Sequence, residues 1–393
     1  MLIYVAPKQS TLLPNHFIKR KFGKSYLVWF QKSNLYIRLE EPAWFVFNKL
    51  VKRWKAGTIA LECAARYGLN NDESSKYVGD IRSAIEKMNQ PANLQWRDKK
   101  FSNNIQDHSF EPFAKHQYRF NNKLIIFTFE THALENYLHP LLNHLETTDT
   151  EKITSTFELF NFQNKIVFRF NREVMGVWKN EESHLVKGLV FMHLINVFFD
   201  KKDDFWMMTV HASAITNGKK TILFPAGPGS GKTTIAALLQ ERGFALVSDD
   251  FVPVDRYSGR AYPFPLAISV KQGSMDILSP IFPDLEHKPS NVITPEKIVR
   301  YIFPEIGQNF SPEAFPVKEF IFIQYDSSVD FEWEEIDPLD AFKLLLEETW
   351  VSPEDGIANT IFDRLSDWSF YKLTYSNNRK ALEAITKLFN ENN

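Results

Sequence analysis

The stretch Thr221–Asp250, TILFPAGPGSGKTTIAALLQERGFALVSDD, constrains this chain most. It reads as an apolar strand, a glycine-rich turn, a helix and a second strand ending in two carboxylates. The turn Ala226-Gly227-Pro228-Gly229-Ser230-Gly231-Lys232-Thr233, followed by Thr234, fits the phosphate-loop pattern, with Ala226 where the first glycine is usual. Backbone N–H groups cradle phosphates best where no Cβ intervenes, which suits Gly227, Gly229 and Gly231. The helix from Lys232 aims its positive N-terminus at the same phosphates. Lys232 can reach the β- and γ-phosphates and the Thr233 hydroxyl can bind Mg²⁺, so the stretch predicts nucleotide binding.

Asp249 and Asp250 close the strand Phe244–Ser248, 17 residues after Lys232. One short helix and a turn at Gly243 fill that gap, so this strand is expected beside the loop's own strand. Its carboxylates then stand at the carboxyl edge, where open α/β sheets bind ligands. One carboxylate, assigned to Asp249, can hold Mg²⁺; Asp250 can take a proton from an incoming hydroxyl. The competing reading makes Asp250 a turn residue or helix cap. Upstream, Met207–Ile215 reads as a strand and Thr216–Lys219 as a hairpin turn, which makes the loop's strand antiparallel to its predecessor. His211 falls in mid-strand, where a histidine is either packed or catalytic.

The strand with His211, the hairpin, GPGSGKTT, Gly243 and LVSDD resemble the catalytic core of the HPr kinase/phosphorylase family, which shares its fold with phosphoenolpyruvate carboxykinase. The resemblance is specific over about Val210–Val254. It implies an α/β, mixed-sheet fold and ATP-dependent phosphorylation of a Ser hydroxyl in a peptide or small protein. It also implies that Lys232 and Thr233 serve phosphate and Mg²⁺, that one of Asp249 and Asp250 is the base, and that His211 assists it. The family's second signature, tied to reverse phosphorolysis, has no counterpart here. The chain is more similar to the HPr-kinase-related enzymes that modify precursor peptides, such as lasso-peptide kinases. The resemblance permits oligomers.

The 393 residues suggest two or three domains. With 44% hydrophobic and 24% charged residues the chain can bury a core, and its 35 Phe are most simply core filling. A net charge of −2 gives no electrostatic case for nucleic acid. The single Cys63 excludes an internal disulfide and fits a reducing cytoplasm. Met1–Phe30 lacks a continuous apolar core for a signal peptide, and no apolar run is long enough to predict a membrane span.

Residues 1–95 read as a small domain. Tyr26–Phe30 and Leu35–Leu39 form a hairpin; Pro42–Trp54, Thr58–Tyr67 and Asp72–Met88 form three helices, the first and third with apolar stripes. This winged-helix-like pattern resembles the PqqD family of peptide chaperones over about residues 20–92. That resemblance implies a leader peptide added as a strand at the hairpin edge and resting on the third helix. The other reading is a packing or oligomerisation module.

Residues 96–111 read as a polar linker. Residues 112–205 mix strands and helices in a covering layer with no evident chemistry, and residues 206–393 form the catalytic domain. Past Asp250, Lys271, Arg300 and Lys318 are candidates to neutralise the transferred phosphoryl group, each also explicable as a surface charge. Two rival functions stand beside the serine kinase. One is a small-molecule kinase of the shikimate-kinase sort; the other is a protein that uses ATP as a switch for binding or scaffolding.

Overall fold

The computed structural model describes residues 13–14, 16–90, 101–294, 297–304 and 313–391. Residues 91–100, and with them the start of the stretch read as a linker, lie outside it. So do residues 1–12 of the segment searched for a signal peptide. The chain is a mixed α/β protein with mixed sheets, divided into two compact units.

The first unit comprises Met1–Leu94 together with Pro353–Asp363. An antiparallel sheet, β1 (Phe17–Phe22), β2 (Ser25–Phe30) and β3 (Leu35–Glu40), precedes α1 (Glu41–Val51), α2 (Ala56–Tyr67) and α3 (Asn71–Met88). The central strand β2 is buried at every residue but Tyr26, and Val28 and Phe30 pack on Trp44, Phe47 and Leu50 of α1. A capping box between Asn70 and Glu73 starts α3; such a cap contributes about 1 kcal/mol. The hairpin expected from the sequence is thus a three-stranded meander. The added strand, FIKRKF, carries three consecutive basic residues between apolar ends. A late segment of chain completes the unit: Phe362 meets the rings of Phe22 and Tyr36, Arg20 pairs with Asp363, and Gln31 donates to Asp355 at 2.6 Å.

The second unit holds Gln95–Ser352 and Arg364–Asn393. It begins with a short helix, α4 (Asn103–Gln106). Ile105 is buried there and packs with Phe101 and Phe110 around Phe160. The polar composition of 101–111 suggested a linker, but these three apolar side chains anchor it. A five-stranded sheet follows: β4 (Ala114–Phe120), β5 (Lys123–Phe129), β6 (Ser155–Phe162), β7 (Lys165–Phe170) and β8 (Glu173–Trp178), with α5 (His132–Leu142) between β5 and β6. Then comes α6 (Ser183–Phe199), SHLVKGLVFMHLINVFF, apolar on nearly every side and buried accordingly.

A ten-stranded sheet dominates the remainder. Its first strands are β9 (Trp206–Val210), β10 (Ala212–Thr216), β11 (Thr221–Pro225), β12 (Ala245–Ser248), β13 (Val252–Asp255) and β14 (Arg260–Ala261), with helix α7 (Lys232–Glu241) between β11 and β12. A separate sheet is built from β15 (Ile268–Lys271), β16 (Asn291–Thr294) and β17 (Lys297–Ile302), with α8 (Met275–Leu278) beside it in sequence. The chain ends with β18 (Phe315–Tyr325), β19 (Phe331–Glu335), α9 (Pro338–Glu347), β20 (Thr349–Val351), α10 (Ile357–Arg364), β21 (Ser369–Tyr375) and α11 (Asn378–Asn390). The large sheet runs β12-β10-β11-β18-β14-β13-β9-β20, with β21 pairing β18 and β19. Among the described residues no helix is long and apolar enough to cross a membrane.

Two expectations change here. The carboxylate-bearing strand β12 does not lie beside β11. It pairs with β10, which sits between them and is antiparallel to both. β11 and β12 therefore still point the same way, so the phosphate loop and the carboxylates leave the same edge. His211 is not in mid-strand either. It occupies the break between β9 and β10, and because β10 runs opposite to β11 that break falls at this same edge.

Candidate phosphoryl-transfer site

The loop geometry follows from its glycines. Gly229 and Gly231 have φ of 90° and 94°, a left-handed backbone that other residues adopt at a cost. Gly231 also has no room for a side chain: a Cβ there would stand 2.6 Å from the Tyr375 hydroxyl. Gly227 differs, since a Cβ would meet only Glu348 Oε1, at 3.6 Å. The Tyr325 amide donates to the Ser230 carbonyl at 2.9 Å and ties the loop to the end of β18. The Ser230 hydroxyl is buried without a partner among the described residues. Among the described residues no side chain caps the N-terminus of α7, the end of a helix where backbone amides can receive an anion.

Lys232, only 8% exposed, lines the cleft beside this loop and forms no ion pair among the described residues. Its charge acts on Asp249 and Asp250 without direct contact, and a buried ammonium lacking a close anion is costly. The cleft, of about 500 Å³, is also lined by Pro228, Gly229, Gly231, Thr233, Thr234, Asp249, Asp250 and Lys271. The structure thus brings Lys271 to the site but not the other two basic candidates. Arg300 is absent from the lining, and its Nε donates to the Lys288 carbonyl at 3.1 Å. Lys318 lies exposed at the amino end of β18, next to Val317, which pairs with Thr221 at the start of β11. That is the sheet edge opposite the loop.

The two carboxylates occupy different environments. Asp249 is buried, accepts a hydrogen bond from Ser213 of β10, and has the Thr233 hydroxyl donating to it at 3.3 Å. Burial, then the charge of Asp250, raise its carboxyl above the usual range. A cation at this oxygen-rich spot would offset that cost. Asp250 stands on strained backbone, at φ 73°, behind a turn closed by Ser248 Oγ donating to the Phe251 carbonyl at 2.6 Å. Its Oδ1 faces His211 Nε2 at 2.9 Å and its Oδ2 faces Lys187 Nζ at 3.2 Å. Burial works to raise its pKa, but the His211 hydrogen bond and the charges of Lys187, His211 and Lys232 prevail. The carboxyl is held well below the usual range.

His211 is clamped between acids. Its Nδ1 faces Glu348 Oε2 at 2.7 Å, opposite the Asp250 contact, and its amide donates to the Glu348 carbonyl at 2.7 Å. With a carboxylate at each nitrogen, donation from both favours the imidazolium form. The hydrogen bond to Asp250 raises its pKa most; burial and Lys232 oppose this and are outweighed.

Lys187 and Glu348 were not singled out in the sequence. Lys187 comes from α6, in the layer expected to hold no chemistry. Its signal was available: it is the one lysine in an otherwise apolar helix. Glu348 ends α9, and nothing in EETW marks it. A second pocket, of about 700 Å³, meets the cleft at Lys187, His211, Asp250 and Ser269. The chain matches no protein-family model, and no curated protein matches it.

Proposed function

We propose that this chain is an ATP-dependent serine kinase with an HPr-kinase-like phosphate-loop domain, acting on a peptide or small protein. The observation that carries the reading is Lys232: a buried cation with no direct ion pair among the described residues, beside a glycine loop whose Ser230 hydroxyl has no partner there and a helix N-terminus with no side-chain cap. These groups fit a polyphosphate. Thr233 and Asp249 supply the hard oxygen ligands that Mg²⁺ requires, and the ion, when bound, would neutralise charge developing on the phosphates.

Asp250 faces the acceptor side of the cleft. The acceptor Oγ forms a bond to the γ-phosphorus as the bond to the β–γ bridging oxygen breaks; ADP leaves with that electron pair, and the Ser proton passes to Asp250. A carboxylate of low proton affinity serves best late in the reaction, when the attacking hydroxyl has become acidic. Before that it orients the hydroxyl, and imidazolium His211 and Lys187 fix its direction. The first unit, with a small antiparallel sheet beside three helices, suits capture of a leader peptide as an added strand. The free Cys63 accords with a reducing cytoplasm.

Lys232→Ala tests the reading. It is expected to raise the barrier by about 3–4 kcal/mol, by analogy with loss of one preorganised donor, while the melting temperature is retained. ATP turnover near that of the parent protein would overturn the phosphate-loop assignment.

A further inference from the structure

The second pocket is larger than a serine side chain requires, and aromatic and aliphatic side chains form a large part of its wall. Tyr137 of α5, Leu185 and Phe191 of α6, Phe251, Tyr301 and Trp350 line it, from elements on several sides of the reacting edge. Its volume, about 700 Å³, falls within the range of pockets that enclose a ligand. It opens into the phosphate cleft at Asp250 and His211, the two residues beside which an acceptor hydroxyl would stand.

Four of the titratable groups around it are tied to one another. Lys187 is paired with Asp250, and His211 with both Asp250 and Glu348, so neither cation is available to an acidic acceptor. Glu347 adds a negative charge to the same wall. A wall in which acidic side chains outnumber lysines, with Asp250, Glu347 and Glu348 against Lys187, disfavours a phosphorylated or carboxylate-bearing acceptor, and its aromatic and aliphatic part favours burial of apolar surface.

From this we infer that the pocket selects the acceptor: it takes the segment of a polypeptide in which the reactive Ser is flanked by a large uncharged side chain, Leu or Phe in type. The flanking side chain fills the pocket and thereby holds the hydroxyl against Asp250. The inference rests on the kinase reading. Leu185, at the rim and 48% exposed, is a specificity-determining position that can be changed without opening the core.

The test uses the full chain, radiolabelled ATP and short synthetic peptides with one central Ser flanked by Leu or Phe, or instead by Asp. Binding of a fluorescent ATP analogue is measured alongside. The expected kcat/KM is at least about tenfold higher for the Leu and Phe peptides, the discrimination an apolar pocket achieves. Leu185→Lys is expected to shift the preference about tenfold toward the Asp peptides with nucleotide affinity unchanged, a gain that misfolding cannot produce. Equal use of both sets, or an unaltered preference in Leu185→Lys, with nucleotide still bound, would overturn the inference alone; transfer to neither set would overturn the kinase reading with it. Failure of the parent chain to bind nucleotide would overturn the kinase reading and the inference with it.

Discussion

A methyl group at position 231 isolates what the phosphate loop demands of its backbone. Gly231 has φ 94° and ψ 1° and begins α7. Alanine in the left-handed region costs about 1–2 kcal/mol. The added Cβ also falls 2.6 Å from the Tyr375 hydroxyl, and Tyr375 is 1% exposed, so neither side can yield freely. Overpacking of this kind costs about 1–3 kcal/mol. Gly231→Ala is therefore expected to destabilise by about 2–5 kcal/mol, the sum of those two terms. Tyr375→Phe removes the clashing oxygen and leaves the next atoms at 3.5 Å, an ordinary contact. In that background the alanine should cost only its backbone term, about 1–2 kcal/mol. Urea unfolding of the two single variants and the double variant, compared at constant m, gives the coupling directly. A Gly231→Ala protein within about 0.5 kcal/mol of the parent, the scatter of a neutral substitution, or no recovery with Tyr375→Phe, would refute the argument.

Two further outcomes follow from the paired carboxylates. Asp249→Asn is expected to raise the Mg²⁺ concentration needed for ATP turnover, which a magnesium titration of the initial rate measures; an unchanged midpoint would remove Asp249 from the metal. The pKa of His211 is raised above its ordinary 6.5, so its bond to Asp250 contributes stability fully below that value and loses it as pH rises through the raised one. Asp250 is shifted the other way, so its contribution is present above its ordinary 3.8 and is lost on acidification. The stability difference between parent and His211→Gln should be largest at mildly acidic pH and shrink toward alkaline pH, with activity of the parent declining over the same alkaline limb. A difference independent of pH would remove the imidazolium from the account.

What the sequence revealed was local. The loop, Lys232, Thr233 and the two aspartates lie within thirty residues, and their order along one strand–helix–strand unit fixes their common edge. What it concealed was long-range. Lys187 and Glu348 reach the site across 63 and 137 residues of chain, and no periodicity connects them to their partners. Strand order escaped because β10, the strand before the loop, takes the place beside β11 that β12 was expected to hold. The break at His211 is invisible in MMTVHASAI, where apolar residues continue on both sides. β1 was missed because FIKRKF carries three charges. The return of Pro353–Asp363 to the first unit had no sequence signal, although Ile357, Ile361 and Phe362 within it are fully buried.

The central claim is phosphoryl transfer to a hydroxyl held by Asp250. It is tested most directly by a single-turnover experiment on the full chain with radiolabelled ATP, Mg²⁺ and a Ser peptide flanked by Leu, run in parallel on Asp250→Asn. The expected result is label on the peptide serine, with the transfer rate lowered about 10²–10⁴-fold in the variant, the usual contribution of a general base, and ATP binding preserved. Bound ATP whose label never reaches the peptide, or transfer at the same rate in both proteins, would contradict it.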